Sequence, residues 1–331
     1  MRVLAVVDKF RGTATAVEVA GAIAAAAKRL GHECDEAPVS DGGEGWLDAF
    51  GGANRTTTAT GPLGDAVAAP WRLAGRTAVI EMAAVSGLTL AGGPDQNDAM
   101  AASTTGVGEL IDAALDAGAR RIVVGLGGSA TTDGGFGALR ALRTAHRLRG
   151  VELLVACDVR TRFTDAARVF GPQKGATPAQ VGLLTGRLER LVQLYRDEFG
   201  VDVSELEGAG AAGGLAGGLV AVGGELVPGF SLLADELDLR ERVARCDLVV
   251  TGEGFLDEQS FEGKVVGSVA VLAVAEGKRI VAIAGDIFDD VADRIEGVSL
   301  VERFGDDRAR TDTLGCIGEV VTELLSGGPT P

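Results

Sequence analysis

The sequence predicts an α/β fold with mostly parallel sheets, and three observations lead to it. Short β-branched, apolar runs recur along the chain, at Val3–Val7, Ile122–Val124, Val151–Cys157, Asp247–Val250 and Arg279–Ala284, with the character of strands buried on both faces. Segments with helix-start signals alternate with them. Several of the strands then finish alike, with glycine beside a carboxylate or hydroxyl, as the βα loops of a parallel sheet do.

Taken in order, Val3–Val7 ends at Asp8, and the polar connection Asp8 to Thr13 leads to Thr15, whose partner Glu18 completes a capping box at the head of an Ala-rich helix that Gly31 ends. A strand candidate at Glu33–Val39 runs into Ser40-Asp41-Gly42-Gly43-Glu44-Gly45. The texture then changes. Thr56–Thr60, Ala66–Leu73 and Thr77–Met82 read as a meander of short antiparallel strands, which places a domain boundary near residue 62. A helix over Thr105–Ala117 closes at Gly118 and precedes the most distinctive stretch, Arg120 to Gly137. In it Ile122-Val123-Val124 opens into Gly125, Gly127, Gly128, Ser129, Thr131, Thr132, Asp133, Gly134 and Gly135.

Thr177, Pro178 and Gln180 form a second capping box, heading a helix to Phe199 whose Leu183, Leu184, Leu188, Leu191 and Leu194 are expected in the core. The glycine-dense but apolar run Gly208–Gly224 is read as close helix packing, with Gly213-Gly214 able to open a helix toward a ligand. Beyond it come Thr251-Gly252-Glu253-Gly254, then Asp257, Gln259, Gly263 and Lys264 before another helix, and a strand ending at Gly285-Asp286. The tail offers a weak strand at Val298–Glu302 and a helix at Thr313–Leu325.

Composition narrows the function. In 331 residues, 46% apolar and 24% charged content is ordinary for a folded soluble protein of one or two domains. A formal charge of −16 opposes nucleic-acid phosphates and anionic membranes, which leaves a small-molecule substrate as the expected partner. The four cysteines are widely spaced without zinc-type pairing, the N-terminus lacks a signal-peptide pattern, and no apolar run reaches bilayer length; a cytoplasmic protein is expected. The two histidines, His32 and His146, sit in surface-like contexts, so histidine catalysis is poorly served.

The recurring loops supply another chemistry. Phosphoryl transfer requires backbone donors around phosphates, one or two cations, carboxylates for magnesium and a base near the acceptor hydroxyl. Nests at Gly127-Gly128 and Gly134-Gly135, the cations Arg11, Lys174 and Lys264, and the acids Asp8, Asp41, Asp133, Asp158, Glu253 and Asp286 meet that inventory. Lysine is scarce, only Lys9, Lys28, Lys174, Lys264 and Lys278, so two of them in glycine-rich loops carry weight. A glycine-rich turn also serves simply to reverse a chain. No GxxxxGK[ST] is present, since Val265 follows Lys264 and Gly175 follows Lys174. Gly125 to Ala130 does satisfy G-x-G-x-x-A after a strand, which keeps a dinucleotide fold as the runner-up, although Asp133-Gly134-Gly135 would interrupt the helix that this fingerprint opens.

At this point the chain resembles the bacterial glycerate kinases that lack a P-loop, over about residues 1 to 290. The matching segments are Asp8 to Thr13, Asp41 to Gly45, Glu81-Met82-Ala83 with Ser86-Gly87-Leu88, Gly125 to Gly135, Ala156-Cys157-Asp158-Val159, Phe170 to Thr177, Gly208 to Gly214, and Thr251 through Lys264. The resemblance implies two α/β domains, one discontinuous, with the active site in the cleft between them: residues 1–62 with 285–331 as one domain and 63–284 as the inserted one. It implies phosphorylation of D-glycerate by ATP with Mg2+, commonly on the 2-hydroxyl, and leaves association into homo-oligomers open. The chain departs from the family pattern at Lys9, Arg11 and Thr13 in the first loop, where Ser, Lys and Ser are usual. It departs again at Phe255 in place of Arg, at Glu262 in place of His, and in a short basic helix between Gly137 and Val151. Those departures keep two alternatives in view, a kinase for another small hydroxy acid or sugar acid and a catalytically silent nucleotide-binding homologue.

On this resemblance the catalytic residues are Asp8 as candidate base, Arg11 toward the acceptor carboxylate, and Lys174 and Lys264 for transition-state charge. Asp41, Gly42, Gly43, Glu44 and Gln259 are assigned to the acceptor. Gly127, Gly128, Ser129, Thr131, Gly134 and Gly135 are assigned to the nucleotide phosphates. Asp158 and Glu253 are assigned to the metal, with Asp133 and Asp257 ordering loops or metal-bound waters.

Overall fold

The computed structural model describes residues 1–10, 12–40, 42–142, 145–261, 263–288 and 291–327. Strand β1 (Arg2–Val7) is buried at every residue after the first, and β2 (Glu33–Pro38) pairs with it in parallel. Between them the helix Ala16–Arg29 begins at the expected capping box. Thr15 Oγ1 accepts the Glu18 amide at 3.2 Å, and Glu18 Oε2 accepts the Thr15 amide at 2.9 Å.

The meander follows as β3 (Arg55–Thr60), β4 (Ala66–Ala74) and β5 (Thr77–Glu81), paired antiparallel. From β5 onward the pairing is parallel through β6 (Arg121–Gly125), β7 (Glu152–Ala156) and the three-residue β8 (Glu225–Val227), giving a six-stranded sheet in simple sequential order. The chain then returns to the first sheet with β9 (Leu248–Leu256), β10 (Arg279–Ile287) and β11 (Gly297–Ser299). That sheet is wholly parallel, in the order β11-β10-β9-β1-β2. The α/β class with mostly parallel sheets is therefore what the chain adopts.

Two units result, residues 1–41 with 230–331 and residues 42–229. The first of these is discontinuous, and its boundaries do not fall near residues 62 and 285. Residues 42–62 go with the second unit because β3 pairs with β4. Residue 285 lies inside β10, and β9 is hydrogen-bonded between β1 and β10, so β9 and all of β10 belong to the first sheet and residues 230–284 to the first unit. Each unit has its own core. Val3, Ala5, Val7, Ile23, Ile317 and Val320 anchor the first, and Ile80, Leu110, Ile111, Ile122, Val124 and Leu219 the second.

Several local expectations shift. The β9 and β10 strands run to Leu256 and Ile287, so Glu253 and Phe255 are strand residues rather than loop residues. The tail strand stops at Ser299, whose Oγ accepts the Glu302 amide at 3.1 Å and caps a helix Leu300–Phe304. In the helix Pro178–Phe199, Leu184 and Leu188 are buried but Leu183 is 61% exposed, because adjacent helical positions diverge by about 100° and only one can face the core. The segment before Val151 is a short helix Phe136–Ala141 and a 3₁₀ turn Ala145–Leu148, not one helix. All four cysteines are free thiols. No helix among the described residues is long and apolar enough to cross a membrane.

Candidate active site

Sheet order locates the first group of polar residues. In the first unit the chain leaves β1 outward to β2, whereas β9 joins on the other side of β1 and leads outward through β10 to β11. The topological switch point therefore lies between β1 and β9, where an open parallel sheet parts its connecting loops at the carboxyl edge and leaves room for a ligand. Asp8 stands at the end of β1, its amide donating to Gly252 O at 2.9 Å, and Glu253 is the next residue on β9. Asp8 is 7% exposed, and its Oδ1 accepts the Lys9 amide at 2.7 Å.

At this edge two polar atoms, Thr251 Oγ1 and Glu253 Oε1, are buried with no hydrogen-bond partner among the described residues. Burial drives the Glu253 carboxyl up to about 7; the Ser260 hydroxyl and Lys264 oppose that rise, and the Asp8 and Asp257 carboxylates add to it. Asp257 itself is occupied: its Oδ1 accepts from the Ser260 amide at 3.1 Å and the Ser260 hydroxyl at 3.3 Å, which orders the turn after β9. Lys264 directly precedes the helix Val265–Ala275, with its Nζ 3.4 Å from Gln259 Oε1. Arg11 and Asp41 lie outside the described residues, as does Glu262.

The second unit carries the glycine-rich loop after β6, and here the glycines answer mainly to packing. Gly127 donates its amide to Gly42 O at 2.9 Å, and a Cβ on Gly127 would stand 2.1 Å from Gly43 Cα, so the Gly42-Gly43 segment lies against this loop. Gly134 donates to Gly213 O at 3.0 Å and Gly135 to Asp133 Oδ1 at 3.1 Å. Of the amides assigned to phosphates, these three are bound within the protein. Gly213, at φ +66°, would bring a Cβ to 2.0 Å from Thr131 O, and Gly214 is the N-cap of a helix Leu215–Ala221, so the pair both opens a helix and lets the Thr131 backbone approach closely.

Asp133 is the hub of the loop. Its carboxylate accepts from the Thr104 amide and hydroxyl, both reaching within 2.9 Å, and from the amides of Gly135 and Gly137. Of the two roles open to Asp133, these bonds supply loop ordering. Thr131 is fully buried, its hydroxyl directed at Ala212 O at 3.5 Å. Gly128, exposed at φ +72°, and the half-buried Ser129 form the accessible part of the loop.

Lys174 lies under that part. It is 3% exposed, and its Nζ donates to Ser129 Oγ at 2.8 Å and Thr131 O at 2.7 Å. Burial lowers the Lys174 ammonium to about 7, against the pull of the Asp133 carboxylate. Asn97, which sequence reasoning missed, ties the two segments together: its Nδ2 donates to Ala130 O at 3.0 Å and Lys174 O at 2.8 Å. These contacts span 33 and 77 residues, and nothing local to Asn97 signals them. Asp158 follows β7 and accepts the Gly229 amide at 2.9 Å; Glu44 is exposed.

Among the described residues no group of three or more His, Cys, Asp or Glu could hold a metal ion. Magnesium does not require one, since it is bound through one or two carboxylates together with substrate phosphates and water. Glu253, with a buried oxygen that no donor among the described residues reaches and Asp8 beside it, fits that minimal set. Two surface grooves, of about 440 Å³ beside Ala22 and Leu314 and about 550 Å³ beside Thr57 and Glu109, touch none of these residues.

Mostly parallel sheets, a switch point edged with acids and a lysine-backed glycine loop are parts that a phosphoryl-transfer enzyme of the α/β class uses. The model of the glycerate kinase family matches residues 3–146 and 142–314. Glycerate 2-kinase of Escherichia coli strain K12 is 37% identical over 331 aligned positions, covering 88% of this chain and 87% of that protein. Glycerate kinase of Bacillus subtilis strain 168 is 38% identical, covering 88% and 86%. A crystal structure assigned as a glycerate kinase 2 from Salmonella typhimurium LT2 superposes with a TM-score of 0.82 at 34% identity over 99% of each chain. The chain belongs to the glycerate kinase family and is an enzyme of that family, a phosphotransferase with an alcohol group as acceptor.

Proposed function

We propose that the protein is a cytoplasmic kinase that transfers the terminal phosphoryl group of ATP to the 2-hydroxyl of D-glycerate, giving 2-phosphoglycerate and ADP. The observation that carries this reading is the Asp8 and Glu253 pair at the switch point, with Glu253 Oε1 buried and without a hydrogen-bond partner among the described residues. The acceptor oxygen forms a bond to the γ-phosphorus as the bond from that phosphorus to the β–γ bridging oxygen breaks. The hydroxyl proton passes to the Asp8 carboxylate. Glu253, with Asp8 beside it, would hold magnesium, which when bound neutralises charge on the phosphates.

Gly128 and Ser129 are the part of the glycine loop assigned to nucleotide phosphate. Lys174 holds Ser129 from behind, and Lys264, half-buried, supplies a cation for charge that develops in transfer. Support for the acceptor comes from the names of the relatives.

A coupled ADP-release assay across a panel of short hydroxy acids, with and without magnesium, tests this directly. Magnesium-dependent ADP release with D-glycerate and formation of 2-phosphoglycerate is the expected result. Release with another acceptor while glycerate stays inert would replace the substrate. Nucleotide-dependent stabilisation without ADP release for any acceptor would leave a silent homologue.

A further inference from the structure

The reaction as described leaves one feature of the same sheet edge unused. Phe255 and Phe288 are 48% and 50% exposed, with ring centroids 6.5 Å apart and planes inclined by 27°. Scattered exposed apolar side chains need no explanation, but two stacked aromatic rings left half in water at the ligand-binding edge of a parallel sheet do. Phe255 is held on β9, in register with Asp286 on β10, and the Phe288 amide donates to Leu256 O at 3.1 Å. Both rings therefore sit on paired backbone rather than on a free loop.

Register then relates them to the acids. Phe255 is two residues beyond Glu253 on the same strand, the spacing that returns a side chain to the same face, about 7 Å farther along. That is the reach of a substituent on carbon 3 of a 2-hydroxy acid whose hydroxyl lies at Asp8 and Glu253. A nucleobase is separated from the reacting phosphorus by the rest of the triphosphate and a ribose, too far for a wall this close to the acids. The wall also carries no charge or hydrogen-bond donor, so it favours apolar groups over hydroxyl groups.

We infer that Phe255 and Phe288 form an apolar wall of the acceptor site, and that the enzyme phosphorylates 2-hydroxy acids bearing an apolar substituent on carbon 3 as well as glycerate. The inference rests on the kinase reading above. It is tested by measuring kcat/KM for D-glycerate and for D-3-phenyllactate, with ATP and magnesium, in the wild type and in Phe255→Ser, Phe288→Ser and Phe255→Leu.

The wild type should turn over both acceptors. The phenyllactate-to-glycerate ratio should fall about tenfold or more in each Ser variant and much less in Phe255→Leu, which keeps an apolar side chain. KM for ATP should stay within about twofold throughout. An unchanged ratio in both Ser variants, a wild type that uses glycerate but not phenyllactate, or an effect confined to KM for ATP overturns the wall, the last making it a nucleobase contact. If no acceptor releases ADP, the kinase reading fails separately. Calorimetric binding of phenyllactate to the same four proteins then decides the wall alone: a loss of about tenfold in the Ser variants supports it, and equal binding overturns it.

Discussion

The carboxyl edge of the first sheet and the glycine loop of the second unit share a composition and differ in how it is used. Around Asp133 the carboxylate is met by Thr104, Gly135 and Gly137, and the amides of Gly127, Gly134 and Gly135 are bound to the protein's own oxygens. One hydroxyl there, Thr132 Oγ1, is buried without a partner among the described residues. Around Glu253 it is a carboxylate oxygen, beside the Thr251 hydroxyl, that has no partner among the described residues. An unpartnered buried carboxylate costs far more than an unpartnered hydroxyl, so the first edge carries the larger unmet polar demand while the second loop largely satisfies its own groups.

The comparison can be broken most directly at Glu253. Glu253→Gln should lower kcat/KM by roughly 10²–10³-fold while leaving the melting temperature unchanged or raised, since an amide replaces a carboxyl that burial already disfavours. Steady-state kinetics beside a thermal melt read both, and full activity would return Glu253 to a structural role. Next in size, Lys264→Ala should reduce kcat/KM by about 10–100-fold with a melting shift within about 1 °C, because the side chain's hydrogen bond is a long one to the exposed Gln259.

The glycine loop should respond the other way, through stability. Gly127→Ala places a Cβ at 2.1 Å from Gly43 Cα and should cost about 1–3 kcal/mol or more, read as a lower denaturant midpoint. Asp133→Asn, which weakens the charge-assisted bonds to Thr104, Gly135 and Gly137, should cost about 1–2 kcal/mol in the same measurement. A variant at either position that kept its stability and lost nucleotide binding would make this loop a site after all.

The smallest effect concerns pH. The Lys174 ammonium sits at about 7 in the folded protein, below its ordinary value of 10.5, so the unfolded chain binds the proton first as pH falls from 10.5. Stability therefore declines as pH falls toward 7 and the loss is complete below it. Between pH 9 and pH 7 the wild type should lose on the order of 1 kcal/mol that Lys174→Met does not, measured by urea midpoints at the two pH values.

Much of this was legible locally. Both capping boxes, Thr15 with Glu18 and Thr177 with Gln180, read from a four-residue pattern and formed as read. The meander and the buried strands followed from periodicity. At the glycine loop the sequence does not separate phosphate binding from packing, because glycines and hydroxyls suit both tasks, and the contacts of Gly127, Gly134 and Thr131 are with neighbours as distant as Gly43, Gly213 and Ala212. Asn97 gave no signal at all, since its bonds reach residues far along the chain.

By itself the sequence determined the α/β class, most strands and helices, and the family, because these rest on hydrophobic period, caps and contiguous motifs that a chain carries wherever it folds. Tertiary structure alone decided the unit boundaries, through the pairing of β3 with β4 and of β9 with β1, and the switch point that sets Glu253 beside Asp8. It also decided which polar atoms remain without a partner. Strand pairing and hydrogen-bond satisfaction are contacts between residues remote in sequence, so no local pattern encodes them.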